Sequence, residues 1–485
     1  MYDYDAVVVG AGVAGLSVGA LLAKAGKKVL VLERMKLVGG RATTYKYKVG
    51  DKEFTADWGG VAHTVNFLDR GAVGSVYKEV GFPSSKLQDL FLPQQPTMLI
   101  YRQGRWEDLR ELNKGENKED FKKIIGEIVT MKWEDVDELD TVPFTKWIAE
   151  RTSRASVQDW FATLGHVLTT IPHRVDWSTG ELVWIWKRNL EVMHSVSSGA
   201  FIKGGSINLS LPLADYIKET GGDVRLGTKV SRILVDKGRV TGVQIGELDP
   251  TASGFEDPET VSAPIVVDTA PVWDIMDYIP EGEFPHWFVR LINSYRMPDI
   301  LHSLRGGQVG YNILLKEEAL KDCFGPHQGK EHRVCLDMPY TGGVGQILIG
   351  GAMDPSQIID GKTKFSFSSF GFNPEIMKDK ATVERLFEAL DKDFAALLPE
   401  LSDDYIVERR RSPIGGGVES LIDGLARMPY FSGKFKIDNV GPLDGLYFAG
   451  DTVRSRGTGM DASVRSAIWC FNKITGENVP TYLMD

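Results

Sequence analysis

The chain has few cysteines, no excess of positive charge and no pattern of metal ligands. Its 485 residues include only three cysteines, and no two of them form a C-x-x-C pair. This excludes a disulfide framework and a dithiol redox centre, and it suits a reducing compartment such as the cytoplasm. The formal charge of -10 disfavours a nucleic-acid partner, which needs concentrated basic charge. No His, Cys and carboxylate spacing indicates a metal, so none is predicted.

The sequence also lacks a convincing signal peptide or membrane span. Residues 6–23 carry no charge, but they contain four glycines and follow the acidic start Met-Tyr-Asp-Tyr-Asp. We therefore expect a cytoplasmic protein. Peripheral contact with a membrane stays open, because residues 284–292 fit either an amphipathic surface segment or a helix buried where two domains meet.

The first 45 residues carry the strongest positive signal. An apolar run over 6–9 leads into the turn Gly10-Ala-Gly12-Val-Ala-Gly15, and a helical segment follows. A second apolar run then ends in Glu33. This order is typical of a dinucleotide-binding βαβ unit, in which Gly10 makes the tight turn, Gly12 admits a pyrophosphate and Gly15 lets the helix pack on the strand.

Glu33 narrows the dinucleotide to an unphosphorylated one. It follows Gly15 by 18 residues and is placed to accept hydrogen bonds from both ribose hydroxyls. Its negative charge would repel a 2′-phosphate. At this point the ligand is expected to be either FAD or NAD.

The residues after Glu33 favour FAD. Arg34 is followed by the pair Gly39-Gly40, which admits the backbone close to a phosphate, and then by Arg41. A guanidinium at that position can pair with pyrophosphate oxygens through two hydrogen bonds. A plain NAD dehydrogenase has no need of this segment.

A second signal for FAD lies near the C-terminus, 410 residues after Arg41. An apolar run ends in Gly450-Asp451, which places a carboxylate where it can bind a ribityl hydroxyl. A helical run from Asp461 follows, and its positive N-terminal end would stabilise negative charge on a reduced flavin. The loop 450–460 contains no cysteine, so noncovalent binding is expected.

Two titratable residues are candidates for catalysis. Another glycine pair, Gly59-Gly60, allows a flat ring to lie against the main chain, and His63 comes just after it. His63 is therefore the nearest candidate acid or base, with a structural role as the alternative. Arg456, in the C-terminal loop, could hold an anionic substrate group or neutralise Asp451.

Together, the βαβ unit, the Gly-Gly-Arg segment and the C-terminal Gly-Asp resemble the flavin amine oxidase and phytoene desaturase superfamily. The resemblance spans the chain, and residues 201–206, 221–230 and 261–267 match its middle part. It implies an α/β two-domain flavoprotein with a Rossmann-like FAD domain of the glutathione reductase type. In that family a valine equivalent to Val230 contacts adenine through its backbone.

The resemblance also implies that the FAD domain is discontinuous, with an inserted α+β substrate domain. We expect the FAD domain over 1–75, 196–280 and 405–485, and the substrate domain over 76–195 and 281–404. Seven of the eleven tryptophans fall between 76 and 195, and apolar residues recur there at helical spacing, which predicts a helical cap. Short β-rich runs between 300 and 370 predict an antiparallel sheet.

Each residue expected to bind FAD lies in one of the sequence segments described above. They are Gly10, Gly12, Ala14, Gly15, Glu33, Arg34, Gly40, Arg41, Gly59, Gly60, Val230, Gly450, Asp451, Gly459 and Met460.

The C-terminal Arg-Gly-Thr-Gly-Met-Asp is closer to the desaturases and saturases related to phytoene desaturase and retinol saturase than to amine oxidases. The leading hypothesis is an FAD-dependent oxidoreductase that desaturates or saturates a C–C bond of a hydrophobic, isoprenoid, carotenoid-like or alicyclic substrate, by hydride transfer to or from flavin N5. Its electron partner could be a quinone, oxygen or a reductase. A flavin amine oxidase is the alternative, and a prenyl-binding escort protein without flavin is a third. The oligomeric state is left open.

Overall fold

The computed structural model describes most of the chain. The described residues are 2–57, 64–65, 67–92, 97–169, 177–196, 199–246, 259–297, 305–372, 376–412, 419–421 and 433–482. Its strands are β1 Ala6–Val9, β2 Val29–Glu33, β3 Thr44–Val49, β4 Lys52–Asp57, β5 Thr64–Val65, β6 Thr97–Arg102, β7 Arg105–Asp108, β8 Ala200–Phe201, β9 Asp223–Leu226, β10 Val230–Asp236, β11 Arg239–Ile245, β12 Thr260–Ser262, β13 Val266–Asp268, β14 Arg305–Lys316, β15 Glu331–Cys335, β16 Val344–Ile349, β17 Lys362–Phe372, β18 Ile406–Ser412, β19 Glu419–Leu421 and β20 Leu446–Phe448. Its α-helices are α1 Val13–Lys24, α2 Ala72–Glu79, α3 Ser84–Leu90, α4 Lys118–Thr130, α5 Trp133–Glu138, α6 Phe144–Ala149, α7 Ala155–Thr169, α8 Thr179–Met193, α9 Leu211–Glu219, α10 Ile275–Tyr278, α11 His286–Tyr295, α12 Glu318–Cys323, α13 Gly350–Met353, α14 Lys380–Leu397 and α15 Gly459–Thr475.

A five-stranded parallel sheet carries the N-terminal βαβ unit. Its order is β20-β13-β1-β2-β9, and each neighbouring pair is parallel. The central strands β1 and β2 are buried along their whole length, as continuous apolar runs in a covered parallel sheet should be. Strands from three distant parts of the sequence therefore build one sheet, which confirms the predicted fold class.

A mixed eight-stranded sheet forms the second layer. Its order is β18-β14-β17-β16-β15-β6-β7, with β19 pairing on β14. Strands β14 to β17 are the antiparallel part that the β-rich runs predict. Strands β6 and β7 come from the region expected to be a helical cap, and β6 joins β15 in parallel.

Strand β18 lies in this second sheet, whereas the sequence places the start of an FAD-domain segment at residue 405. It pairs with β14 from Gly310 to Leu315. In the sequence, its charged side chains suggest a segment exposed to solvent. In the structure, Arg409 pairs with Asp391 and Arg411 pairs with Glu384. A charged strand is tolerated at this position because it lies at the sheet edge. The predicted FAD-domain segment 405–485 therefore begins with seven residues, 406–412, that belong to the second sheet.

Helices α4 to α8 form the cap over one face of the second sheet. Its core contains large aromatic side chains, among them Trp147, Trp177 and Trp186, each at most 1% exposed. Apolar residues of β15 and β16, such as Val334 and Val344, belong to the same cluster. The cap is therefore packed onto the sheet and has an aromatic interior.

Residues 284–292, which lead into and form much of helix α11, have one buried side and one exposed side. Phe284, Phe288 and Ile292 are buried in the cluster that also holds Val266 of the parallel sheet. Trp287 of that segment is 61% exposed, and His286 and Arg290 beside it are exposed as well. In the described part of the chain, no helix combines the length and the apolar character needed to cross a bilayer. Peripheral contact with a membrane stays a prediction.

Candidate functional site

The glycine turn lies at the C-terminal end of β1 and opens helix α1. Gly10 has a φ of +104°, a conformation that favours glycine. A methyl group on Gly15 would lie 2.0 Å from the carbonyl oxygen of Gly10, so this glycine permits the helix to start against the turn. Gly12 is the N-cap of α1, and it provides no side-chain cap. The first N–H groups of α1, near the buried Ala14, are thus arranged as an anion site.

Glu33 lies at the end of β2, beside this turn. Its Oε2 accepts a hydrogen bond from the Ala11 N–H at 2.8 Å, and its Oε1 accepts one from the Met35 N–H at 2.8 Å. The side chain is buried, and each carboxylate oxygen still has a lone pair for a further donor. The next residue, Arg34, is exposed.

The Gly-Gly-Arg segment packs directly on the glycine turn. The Gly39 N–H donates to the Ala11 carbonyl oxygen at 2.8 Å. A methyl group on Gly40 would lie 3.1 Å from Cα of Gly12, so the two backbones approach more closely than side chains would allow. The two glycine segments thus form a concave backbone surface without side chains, which is the kind of surface that binds a pyrophosphate.

The C-terminal segment closes the same site. Asp451 is 6% exposed and pairs with the guanidinium of Arg41. Gly450, at φ +138°, donates its N–H to Oγ of Ser466 at 3.1 Å, which fixes the backbone next to Asp451. The cationic and anionic residues predicted on either side of the cofactor therefore lie together.

Helix α15 begins at Gly459 and packs against α1. Met460, in its first turn, lines a small cavity together with Val13 and Ser17 of α1. On the other side of the site, Thr228 donates its N–H to the Glu33 carbonyl oxygen at 2.7 Å, and Val230 follows at the start of β10. The structure thus gathers the predicted residues of the first, middle and last segments around the glycine turn.

Three predicted residues, Gly59, Gly60 and His63, lie outside the described residues. Their roles therefore stay predictions.

Arg456 is placed differently from the expectation that it neutralises Asp451. Its Nη1 donates to Oδ1 of Asp140 at 2.6 Å and to Oε1 of Glu181 at 3.3 Å, and its Nη2 pairs with Asp137. Asp451 instead pairs with Arg41. The reason is that Arg456 points from the C-terminal loop toward the cap, whose carboxylates surround it.

Glu181 connects the cap to that loop by further hydrogen bonds. Its Oε2 accepts from the Gly457 N–H at 3.0 Å, and its Oε1 accepts from the Gly433 N–H at 2.7 Å. Burial raises the pKa of Asp140 to about 6, although Arg456 acts in the opposite direction. These contacts indicate that Arg456 positions the loop 450–460 through the cap.

Sequence reasoning missed Glu181 for an identifiable reason. It stands three residues after Ser178, whose Oγ accepts the Glu181 N–H at 3.3 Å at the start of α8. The pattern Ser-x-x-Glu is the ordinary signature of a helix start, which accounts for the residue without any link to a distant loop.

A cleft separates the second sheet from residues 201–206. Phe201, Ile202 and Leu348 supply much of its apolar lining. Asp354 is the single carboxylate among the lining residues that the structure describes. That carboxylate accepts four hydrogen bonds, from the Gly204 N–H, from the N–H and Oγ of Ser356, and from Nε2 of Gln357.

A parallel sheet with a glycine turn, a buried acid after its second strand and a distant Gly-Asp segment together form a Rossmann-like dinucleotide-binding fold. The chain belongs to the family of flavin containing amine oxidoreductases, whose model matches residues 13–469.

Individual relatives are distant. An all-trans-retinol 13,14-reductase of Danio rerio is 26% identical over 318 residues, which are 57% of this chain and 49% of the relative. A 15-cis-phytoene desaturase of Glycine max is 27% identical over 255 residues, 48% of this chain and 43% of the relative. The chain thus spans about half the length of these curated relatives.

The fold is shared with solved structures along nearly the whole chain. A putrescine oxidase bound to putrescine aligns with a TM-score of 0.65 at 15% identity, covering 98% of this chain and 99% of that one. At this identity the likeness concerns the fold alone.

Proposed function

We propose that the flavin is FAD, bound without a covalent link. The site fits the group in three respects: a bare backbone cradle at Gly12 and Gly40, a buried Glu33 with spare acceptor capacity, and Asp451 beside Arg41. No cysteine occurs between residues 450 and 460. When bound, FAD supplies a ring that accepts or donates a hydride.

The reaction we propose is the removal or addition of hydrogen across a C–C bond of a hydrophobic substrate. The observation that carries this proposal is the cleft beside residues 201–206, because its Phe201, Ile202 and Leu348 provide an apolar wall. The names of the retinol reductase and the phytoene desaturase are consistent with such chemistry. We propose an isoprenoid or alicyclic skeleton as the substrate class.

The chain's own residues would bind and orient this substrate and exclude water. The N-terminus of α15 presents a partial positive charge, which stabilises an anion held near Gly459 and Met460. The Arg456 contacts with Asp140 and Glu181 keep the preceding loop attached to the cap. No proton donor or acceptor is assigned, since His63 lies outside the described residues.

Amine oxidation is the alternative, and it draws on the family's name and on the putrescine oxidase fold. A protonated amine bound in the cleft would call for an accessible carboxylate or an aromatic face. The carboxylate of Asp354 already accepts four hydrogen bonds from neighbouring residues, which makes it a poor partner for an ammonium group. This observation favours C–C chemistry. A flavin-free escort protein would not need the Glu33, Arg41 and Asp451 arrangement.

The proposal is tested by turnover and by the oxygen reactivity of the flavin. We expect the purified protein to contain FAD that is released by denaturation, and its reduced flavin to persist for minutes in air-saturated buffer. Polyenes or their reduced products should change the flavin spectrum under anaerobic conditions, with a quinone or a reductase as electron partner. Reoxidation within seconds together with aldehyde and peroxide from amines would replace this proposal with amine oxidation.

A further inference from the structure

The second sheet presents a polar surface to the cap, which is unusual for the wall of a cavity for an apolar substrate. We call this surface the polar face. Its side chains are Gln308, Asn312, His332, Gln346, Ser366 and Ser368, each at most 5% exposed.

Strand register shows that these residues share one side of the sheet. Asn312 is opposite Ser366 in the β14–β17 pair, and Gln346 is opposite Ser368 in the β16–β17 pair. Residues directly opposite in a sheet point to the same side. The intervening positions, such as Phe365 and Phe367, instead join the apolar cluster with helix α14 on the other side.

Helix α7 of the cap covers the polar face at one point. The Gln346 Nε2 donates to Nε2 of His166 at 2.9 Å, and His166 is fully buried. The ring of His166 lies 6.4 Å from that of Phe370. The polar face thus lies buried between the sheet and the cap.

Two polar atoms of this face have no hydrogen-bond partner in the part of the chain that the structure describes. They are Oγ of Ser368 and Nε2 of His332, although the His332 imidazole as a whole interacts with the side chain of Gln346. A buried polar atom without a partner costs free energy, and such atoms are uncommon in folded proteins. A site built this way favours a ligand that supplies the missing hydrogen bonds, and it rejects an analogue that lacks them.

The ligand group that fits is electrically neutral. The six side chains of the polar face include no carboxylate, and burial lowers the pKa of His332 to about 4, so that its imidazole is uncharged at neutral pH. The charged Lys364 is four residues before Ser368 on the same strand face, a separation of about 13 Å. Among the six side chains of the polar face, a cationic amine would therefore find no counter-charge.

The polar face is continuous with the apolar cleft. Ser366 belongs to both, since it lines the cleft together with Phe201 and Leu348 and is opposite Asn312 in the sheet. A molecule with an apolar body in the cleft could extend one end along β17 toward Ser368.

We propose that Gln346, Ser368 and His332, with His166 beside them, bind a neutral oxygen-bearing group, a hydroxyl or a carbonyl, at one end of the substrate. This inference rests on the proposed function and narrows its substrate class from hydrophobic molecules to hydrophobic alcohols, aldehydes or ketones.

The test uses two probes that differ only in this oxygen, all-trans-retinol and its deoxygenated hydrocarbon analogue. Dissociation constants are measured for the FAD-loaded protein from the perturbation of flavin absorption. We expect retinol to bind about tenfold more tightly than the hydrocarbon. The variants Gln346→Leu and Ser368→Ala should reduce this preference to about twofold while leaving FAD content and hydrocarbon binding unchanged.

Ser369→Ala is the matched control. Ser369 is the next residue along β17 but lies on the other side of the sheet, where its Oγ contacts Oγ1 of Thr341 at 2.9 Å. This variant should keep the full preference for retinol. Equal binding of both probes by the wild type, binding of neither, or a preference that survives in Gln346→Leu and Ser368→Ala would overturn the inference.

Turnover separates this inference from the proposed function. A preference for retinol that the variants abolish, with no hydrogen transfer to or from either probe, would support the polar subsite and count against the proposed reaction. Equal turnover of alcohol and hydrocarbon would support the reaction and overturn the subsite.

Discussion

Arg41 and Asp451 form an ion pair although 410 residues separate them in the sequence. Arg41 follows the glycines that pack on the dinucleotide turn, and Asp451 ends the segment after β20. The pair therefore joins the two ends of the FAD site that we propose. Its guanidinium is 41% exposed, whereas the carboxylate is 9% exposed.

Arg41→Ala and Asp451→Asn should each weaken FAD binding by about 1.5–3 kcal/mol, since each removes a charged hydrogen-bonding partner. The free energy of unfolding of the apoprotein should change by less than about 1 kcal/mol, because a half-exposed ion pair stabilises the fold little. Fluorescence titration of apoprotein with FAD measures the first quantity, and urea unfolding measures the second. Arg110→Ala, which removes an exposed pair with Asp108, is the control. Unchanged FAD affinity in both variants would show that the dinucleotide lies elsewhere.

Gly15→Ala should abolish FAD binding and destabilise the fold, because the added methyl group would meet the Gly10 carbonyl oxygen at 2.0 Å. Gly126→Ala is the matched control: it lies within α4, and its methyl group would meet no atom within 4 Å. That change should stabilise the protein by about 1 kcal/mol through helix propensity. Thermal unfolding and flavin content distinguish the two. A Gly15→Ala protein with normal flavin content would contradict the packing described for α1.

Arg456→Leu should destabilise the protein by about 3–5 kcal/mol, because it leaves the carboxylates of Asp140 and Glu181 buried without their cation. Urea unfolding is the measurement. Adding Asp140→Asn should restore part of the loss, since one of the unpaired charges is then removed. Arg154→Leu, on the exposed surface of the cap, should cost less than about 1 kcal/mol. Equal losses of unfolding free energy in Arg456→Leu and Arg154→Leu would show that the buried ion pairs stabilise the protein no more than an exposed one does.

Asp268→Asn should make the stability less dependent on pH. Burial raises the pKa of Asp268 in the folded protein to about 7, from an ordinary value of 3.8. The folded state therefore binds this proton more tightly than the unfolded state does, so its contribution is complete below pH 3.8 and is lost as the pH rises through 7. Relative to the variant, the wild type should lose about 4 kcal/mol over that range. Parallel profiles of unfolding free energy against pH would refute this.

The parts of the site that depend on local spacing were predictable from the sequence. The turn Gly10 to Gly15 and the acid Glu33 lie within one βαβ unit, whose geometry follows from short-range backbone constraints. The fold class followed as well, because apolar runs and glycine pairs are local features. The motifs of Arg41 and Asp451 also predict that the two residues share one site, and in the structure they form an ion pair.

Long-range pairing was not predictable in the same way. The sequence offers Arg456 as a partner for Asp451, but the cap supplies other carboxylates to Arg456, and Arg41 arrives from the N-terminal segment instead. Charge alone cannot rank such partners without the fold. Strand β18 was misassigned for a related reason: its arginines find acidic partners on helix α14 that only the folded sheet brings near.

The polar face could be predicted from the sequence in part. Gln308 and Asn312 alternate along β14, and Ser366 and Ser368 alternate along β17, which is the pattern of one side of a strand. Both strands are nevertheless buried on both sides. The sequence shows the alternation, but the packing of α7 is what places the polar side in the interior.

The pair Arg41 and Asp451 also has a consequence for biosynthesis. A ribosome makes the glycine turn, Glu33 and Arg41 first, yet the acid that completes the site emerges only after 410 further residues. If FAD binds at the site that we propose, a nascent chain cannot hold it at both ends during most of its translation. Flavin capture becomes a late event, and the N-terminal unit must stay protected from aggregation until then.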